Sequence, residues 1–287
     1  MRAATLKESA HHATHMPDYQ AIDVSRDGAV ARIAFDRPDA YNTLDERMAE
    51  EMVTAAQRLV SDDDIRCLVV TGNGPVFNTG ADLGELAGDG SDEQRLRSLA
   101  GSLHEFVGQL LRAPMPVVTG VNGVAAGGGL GPALCGDIVL AAESARFEFA
   151  YPRIGLSGDG GSTYILPRLV GLRQARWRWT PPVPASPSGP VAAVVEILVD
   201  QTEQRLLVLH PDEAFDERLT AEAERLAKGP TAAYAATRRL LLGSFEDSLE
   251  THLAEEAETI AGLTNTEDFS RGHAAFGGDD EPEFVGE

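Results

Sequence analysis

The stretch VNGVAAGGGLGPALCGD, Val121 to Asp137, constrains the fold more than any other part of the chain. It starts as a short apolar strand, passes through Gly127, Gly128 and Gly129, and then takes on helical spacing at Leu130, Ala133 and Leu134. Pro132 falls in the first helical turn, where proline is tolerated. A strand that becomes a helix within three residues needs backbone freedom, and glycine supplies positive φ and lets another group approach the main chain. The first helical turn also leaves N–H groups unpaired at the positive end of the dipole. Such a turn is either a tight structural junction or a place to hold an anion or a polarised carbonyl.

The neighbouring segments repeat the theme. From Ala21, AIDVSRDGAVARIAFDRP alternates in two runs joined at Arg26-Asp27-Gly28, a hairpin signal. LDERMAEEMVTAAQRLV places Met48, Met52, Val53, Ala56 and Leu59 at helical spacing, and Cys67 to Thr71 reads as a buried strand. That strand enters a second glycine-rich loop, GNGPVFNTGADLGEL, followed by a helical stretch from about Ser91 to Leu111. Pro116 to Val121 is the strand that feeds the glycine turn, and Asp137 to Ala142 is the next one. Two strand-to-loop crossings in succession can bring two sets of unpaired amides to one point, a two-donor oxyanion hole. Neither loop carries a phosphate-loop pattern or a G-x-G-x-x-G with a downstream acid, which argues against a nucleotide cradle.

Composition narrows the function classes. The formal net charge is −21, with Lys7 and Lys228 the only lysines, so neither nucleic acid nor an anionic membrane finds the basic face it needs. No apolar run reaches the length of a membrane span, and the first residues lack an apolar signal core, so a soluble cytoplasmic protein is expected. Cys67 and Cys135, the only cysteines, lie in apolar runs without ligand spacing; no zinc and no disulfide is expected. His11, His12 and His15 lie in an aperiodic N-terminal stretch that reads as a loose arm.

Three motifs together, FNTGADL (Phe77 to Leu83), VNGVAAGGGLGPALCGDIVLAAESARF, and GLSGDGGSTYILPRLVG, resemble the crotonase superfamily, the enoyl-CoA hydratase and isomerase group, over roughly Tyr19 to Phe276. The resemblance implies an α/β fold, a spiral of repeated ββα units with a C-terminal helical region that forms trimers, often paired into hexamers. It implies a coenzyme A thioester as substrate, no cofactor and no metal, with an enolate stabilised by the amides of Ala81 and Gly128. In that hole each of two preorganised amides is worth roughly 3–4 kcal/mol of barrier. By the same resemblance CoA lies against Arg37 to Leu44, the adenine near Ala40, Tyr41 and Asn42, with Gly80, Asp82, Leu83 and Gly127 lining the thioester loops. Arg37 has a structural alternative, pairing with Asp36 or Asp39. His104 and Tyr151 are expected at the acyl pocket, with a packed helix residue the alternative for His104.

The chain departs from the hydratase pattern at both acids. Gly131 stands where such hydratases carry one glutamate, and Tyr151 where they carry the other. Asp159, between Gly158 and Gly160, is by itself an ordinary turn residue. The resemblance matches it to the catalytic aspartate of enoyl-CoA isomerases, including the ring type of phenylacetate catabolism, and to the nucleophile of chlorobenzoyl-CoA dehalogenases. Those dehalogenases also have a histidine at His104 but a tryptophan at Tyr151. The expected activity is therefore an isomerase working through Asp159. Hydration, dehalogenation or hydrolysis, a degenerate non-catalytic member, and a plain acidic α/β protein with structural glycine turns are the alternatives.

A second departure follows LPRLVGLRQAR, where prolines 181, 182, 184, 187 and 190 exclude a helix. The segment from about Trp177 to Val195 is either a disturbed reading frame or a genuine insertion. The chain thus divides into an arm over 1–18, a spiral core over 19–200 with the irregular segment 177–195, a helical region over 201–276 and an acidic tail over 277–287. Asp279, Asp280 and Glu281 stand where relatives commonly have basic residues, so they cannot hold CoA phosphates.

Overall fold

The computed structural model describes residues 17–86, 88, 90–178, 208–278 and 281–287. The three N-terminal histidines and most of the proline-rich segment lie outside them. The chain enters through the hairpin β1 (Ile22–Asp27) and β2 (Val30–Phe35), turned at Gly28 with φ +56. After α1 (Glu46–Val60) come β3 (Cys67–Gly72) and β4 (Val76–Asn78), then α2 (Asp92–Leu111). β5 (Val117–Val121) and β6 (Val124–Ala126) lead to α3 (Leu130–Leu134), and β7 (Ile138–Ala142) and β8 (Arg146–Glu148) lead to α4 (Ser162–Val170) and α5 (Leu172–Arg178).

The strands sort alternately into two sheets. One has the order β1-β2-β3-β5-β7-β9, where β9 is Val208–His210, and the other the order β4-β6-β8. From β3 to β8 each turn of chain therefore lays one strand in each sheet and returns through helical structure, which is the expected spiral, while the entering hairpin β1–β2 adds both its strands to the larger sheet. Apart from the β1–β2 hairpin all ladders are parallel. Pro116 to Val121 was expected to run straight into the glycine turn. Instead Asn122 and Gly123 break it, and β5 and β6 belong to different sheets. The helical region expected from residue 201 likewise first contributes β9, which pairs with β7.

Both faces of the larger sheet are buried, which is why its strands read as continuous apolar runs. Leu68 and Val70 face the core shared with Met48, Met52 and Leu59 of α1 and Phe106 and Leu110 of α2. Cys67 and Val69 point the other way, onto Phe215, Leu219 and Ala223 of α6 (Phe215–Ala227). Asp45 caps α1, its side chain accepting from Met48 N at 2.7 Å. Both cysteines are free and buried, and burial pushes each thiol up to about 12. No helix among the described residues is long and apolar enough to cross a membrane.

Three further helices follow, α7 (Thr231–Gly243), α8 (Leu249–Leu263) and α9 (Glu267–Ala275). Arg238 of α7 ties them to the core. Its side chain is 9% exposed, its Nε lies 3.0 Å from Asp137 Oδ1, and it donates to the carbonyls of Leu110 (2.6 Å) and Met115 (3.0 Å). Burial raises the Asp137 carboxyl above its ordinary range, and Arg238 opposes that shift. Arg238→Met would leave a half-buried carboxylate and two carbonyls without their partner. The expected loss is about 3 kcal/mol, read from the midpoint of a urea unfolding curve.

Candidate active site

Two loops meet at the ends of β4 and β6, which are parallel neighbours in the smaller sheet. After β4, Leu44 forms an isolated parallel bridge with Ala81: Leu44 N donates to Gly80 O at 2.8 Å and Asp82 N to Leu44 O at 2.9 Å. In such a bridge the amide of Ala81 itself points away from Leu44. After β6 the chain makes a single 3-10 turn, Gly127–Gly129, before α3, with Gly127 at φ +52. Among the described residues, neither the Ala81 nor the Gly128 amide donates to a protein acceptor.

The loops touch through bare backbone. A Cβ placed on Gly80 (φ +83) would lie 2.6 Å from Gly128 N, and one on Gly128 would lie 3.9 Å from Ala81 N. Two buried asparagines strap the first loop. Asn78 Oδ1 accepts from Gly80 N at 2.8 Å while its Nδ2 donates to Asn42 O at 2.6 Å. Asn42 in turn donates to Val76 O (2.7 Å) and accepts from Arg37 N (2.8 Å).

A cavity of about 330 Å³ opens over this junction, walled by Leu44, Thr79, Ala81, Leu83, Leu96, Leu99, Leu103, Gly127, Gly128, Tyr151, Arg153 and Asp159. Asp159 is the only carboxylate lining it among the described residues. Its Oδ1 lies 2.5 Å from Nε2 of His104 on α2. Tyr151 is buried, lines the cavity, and its hydroxyl donates to the Asp159 main-chain oxygen at 2.9 Å. Burial pushes the Tyr151 phenol up to about 12, which keeps it a donor throughout the working pH range.

Gly131, where hydratases of the expected type carry an acid, faces the Asp159 loop. A Cβ there would fall 1.5 Å from Gly160 O, and one on Gly160 (φ +61) 2.9 Å from Gly128 O. The two segments share the space that a glutamate side chain would need.

The residues expected from sequence therefore separate into two groups. Ala81, Leu83, Gly127, Gly128, Tyr151 and Asp159 wall one cavity, with Gly80 beneath it and His104 reaching Asp159 from α2. Arg37 sits in an ion-pair cluster: its partners are Asp45 (3.3 Å) and Asp82 (3.4 Å), not Asp36 or Asp39. Asn42 is fully buried and its side chain is engaged by backbone, while Tyr41 is 66% exposed and Ala40 half-buried beside it. The cavity wall supplied by Leu96, Leu99 and Leu103 went unread because helical spacing makes such leucines look like core. Away from the cavity, Asp247, His252 and Glu255 bring possible ligand atoms within 4.8 Å of one another at the C-terminal helices.

Residues 25–189 match the family described as Enoyl-CoA hydratase/isomerase. The chain belongs to that family. A Rhodobacter capsulatus protein named "Probable enoyl-CoA hydratase" is 33% identical over 93% of this chain and 99% of its own length. The 1,2-epoxyphenylacetyl-CoA isomerase of Escherichia coli K12 is 29% identical over 90% of this chain and 95% of its own. Among solved structures, enoyl-CoA hydratase subunit I of Geobacillus kaustophilus superposes with a TM-score of 0.80 at 28% identity, covering 94% of this chain and all of that one. The chain is thus an acyl-CoA-processing enzyme with a crotonase-type fold.

In this enzyme Gly131→Glu is expected to lose stability by about 1–3 kcal/mol through overpacking against Gly160, and not to gain hydration of crotonyl-CoA. Thermal melts and the loss of ultraviolet absorbance of the enoyl thioester would measure the two outcomes.

Proposed function

We propose that the chain is an enoyl-CoA isomerase that shifts a double bond by proton transfer through Asp159. The observation that carries this reading is that, among the described residues, Asp159 is the single carboxylate in a cavity also lined by Ala81 and Gly128. In this reading the thioester oxygen accepts hydrogen bonds from both amides. Asp159 removes a proton from the carbon between the carbonyl and a 3,4 double bond, and the electron pair delocalises onto the thioester oxygen as an enolate. The amides stabilise that charge in a largely apolar cavity. Collapse of the enolate forms the 2,3 double bond as Asp159 returns the proton two carbons away. His104, donating from Nε2 to Oδ1, orients the carboxylate and leaves Oδ2 to serve as the base. One acid is enough for this sequence, whereas water addition by two carboxylates finds neither acid at Gly131 or Tyr151.

Asp159→Asn keeps the shape and removes the base. Conversion of a 3-enoyl-CoA to the 2-enoyl-CoA, followed in the ultraviolet, should slow by roughly 10²–10⁴-fold. Equal rates in the two proteins would take Asp159 out of the mechanism.

The Asp159–His104 contact also favours a second reading, in which Asp159 attacks an aryl carbon and His104 activates the water that hydrolyses the resulting ester. Continuous chloride release from 4-chlorobenzoyl-CoA, cut to a single equivalent per site in His104→Gln because the aryl ester then accumulates, would identify it.

As in the expected family assembly, we infer a homotrimer or a pair of trimers in the cytoplasm. The C-terminal helices expose Leu249 (68%), Leu253 (52%) and Ile260 (70%), an apolar stripe that a neighbouring subunit would cover. Sedimentation velocity should give a trimer or hexamer, and Ile260→Glu should shift it towards monomer.

A further inference from the structure

The Asp159 loop is built so that little of its own packing can hold it. Residues 155 to 161 include Gly155, Gly158, Gly160 and Gly161, and three of these glycines have positive φ: +75, +61 and +79 at 155, 160 and 161. A loop so rich in glycine loses much backbone entropy on ordering and has few side chains to fix it. A carboxylate at its tip would wander relative to the amide pair unless something anchored the backbone.

The anchor is the main-chain oxygen of Asp159 itself. Ser162 Oγ donates to it at 2.7 Å, Tyr151 Oη at 2.9 Å and Ser162 N at 3.1 Å. The two hydroxyls come from elements that flank Asp159 in the sequence: Tyr151 opens the short 3-10 turn Tyr151–Ile154, and Ser162 begins α4. Tyr151 is 7% exposed and Ser162 0%, so water does not compete for these bonds. The phenyl ring of Tyr151 is meanwhile held edge-to-face against Phe149, with centroids 5.0 Å apart.

We propose that Tyr151 and Ser162 are positioning residues, whose hydroxyls together hold the Asp159 carbonyl and thereby aim the Asp159 carboxylate at His104 and the cavity. The proposal rests on the reading of Asp159 as the acid–base group. Tyr151 then acts through the loop and not on the substrate, and Ser162 joins the machinery although it touches no part of the cavity.

Tyr151→Phe keeps the ring wall and Ser162→Ala keeps the volume, so each removes only a hydroxyl. With a 3-enoyl-CoA substrate, each should lower kcat about tenfold while KM stays within twofold. Amide deuterium exchange across residues 156–161 should become several-fold faster in both. Unchanged kcat and exchange in both variants, with Asp159→Asn inactive, would overturn the hydroxyl anchor and leave the Asp159 reading standing. Asp159→Asn as active as wild type would overturn the Asp159 reading and, with it, the anchor as a catalytic device. A parallel loss of kcat, KM and melting temperature would mark the hydroxyls as structural and overturn their positioning role.

Discussion

The site depends on the approach of two peptide backbones, Gly80 and Gly128, to a distance that no side chain permits. Hydrogen-bond donors are useful to a developing oxyanion only when they already point at its position, because reorganising them during the reaction would cost what they contribute. In the proposed reading the fold meets this by making β4 and β6 parallel neighbours, so that their C-terminal ends emerge side by side. The Leu44–Ala81 bridge then turns one amide outward, and the end of β6 passing into a helical turn turns out the other. Asn42 and Asn78 hold the first loop without leaving a buried polar atom stranded, which is the condition for a polar network to rigidify a core rather than weaken it.

The same economy of space governs the acid. Gly131 lies so close to Gly160 that it tolerates no Cβ, Gly160 is itself confined by Gly128 O and Leu103, and the Asp159 loop lies where a side chain at position 131 would otherwise project. Hydroxyls from Tyr151 and Ser162 both donate to the Asp159 main-chain oxygen, and His104 meets its carboxylate from α2.

Charge is distributed with similar restraint. Arg37 is matched by Asp45 and Asp82, and Arg153 at the cavity wall by Glu148 at 2.5 Å. Arg238, buried against Asp137 and two carbonyls, joins the C-terminal helices to the sheet. In a chain with a net charge of −21 these arginines act mainly as internal ties.

Much of this was readable in one dimension. Strand and helix periods follow from side-chain burial alone, so α1, α2, β3, β5 and β7 were legible, and the glycine turns announced both loops because only glycine takes those conformations. The absence of acids at 131 and 151 and the presence of Asp159 are facts of sequence. What sequence could not decide was everything that depends on residues distant in the chain sharing a space. The break between β5 and β6, the addition of β9 to the sheet and the choice of Asp45 and Asp82 as partners of Arg37 belong to this class. So do the Asp159–His104 contact across 55 residues and the Gly131–Gly160 interlock. Local pattern determines which face of an element is apolar; only tertiary packing determines which backbone arrives opposite it, and at what distance.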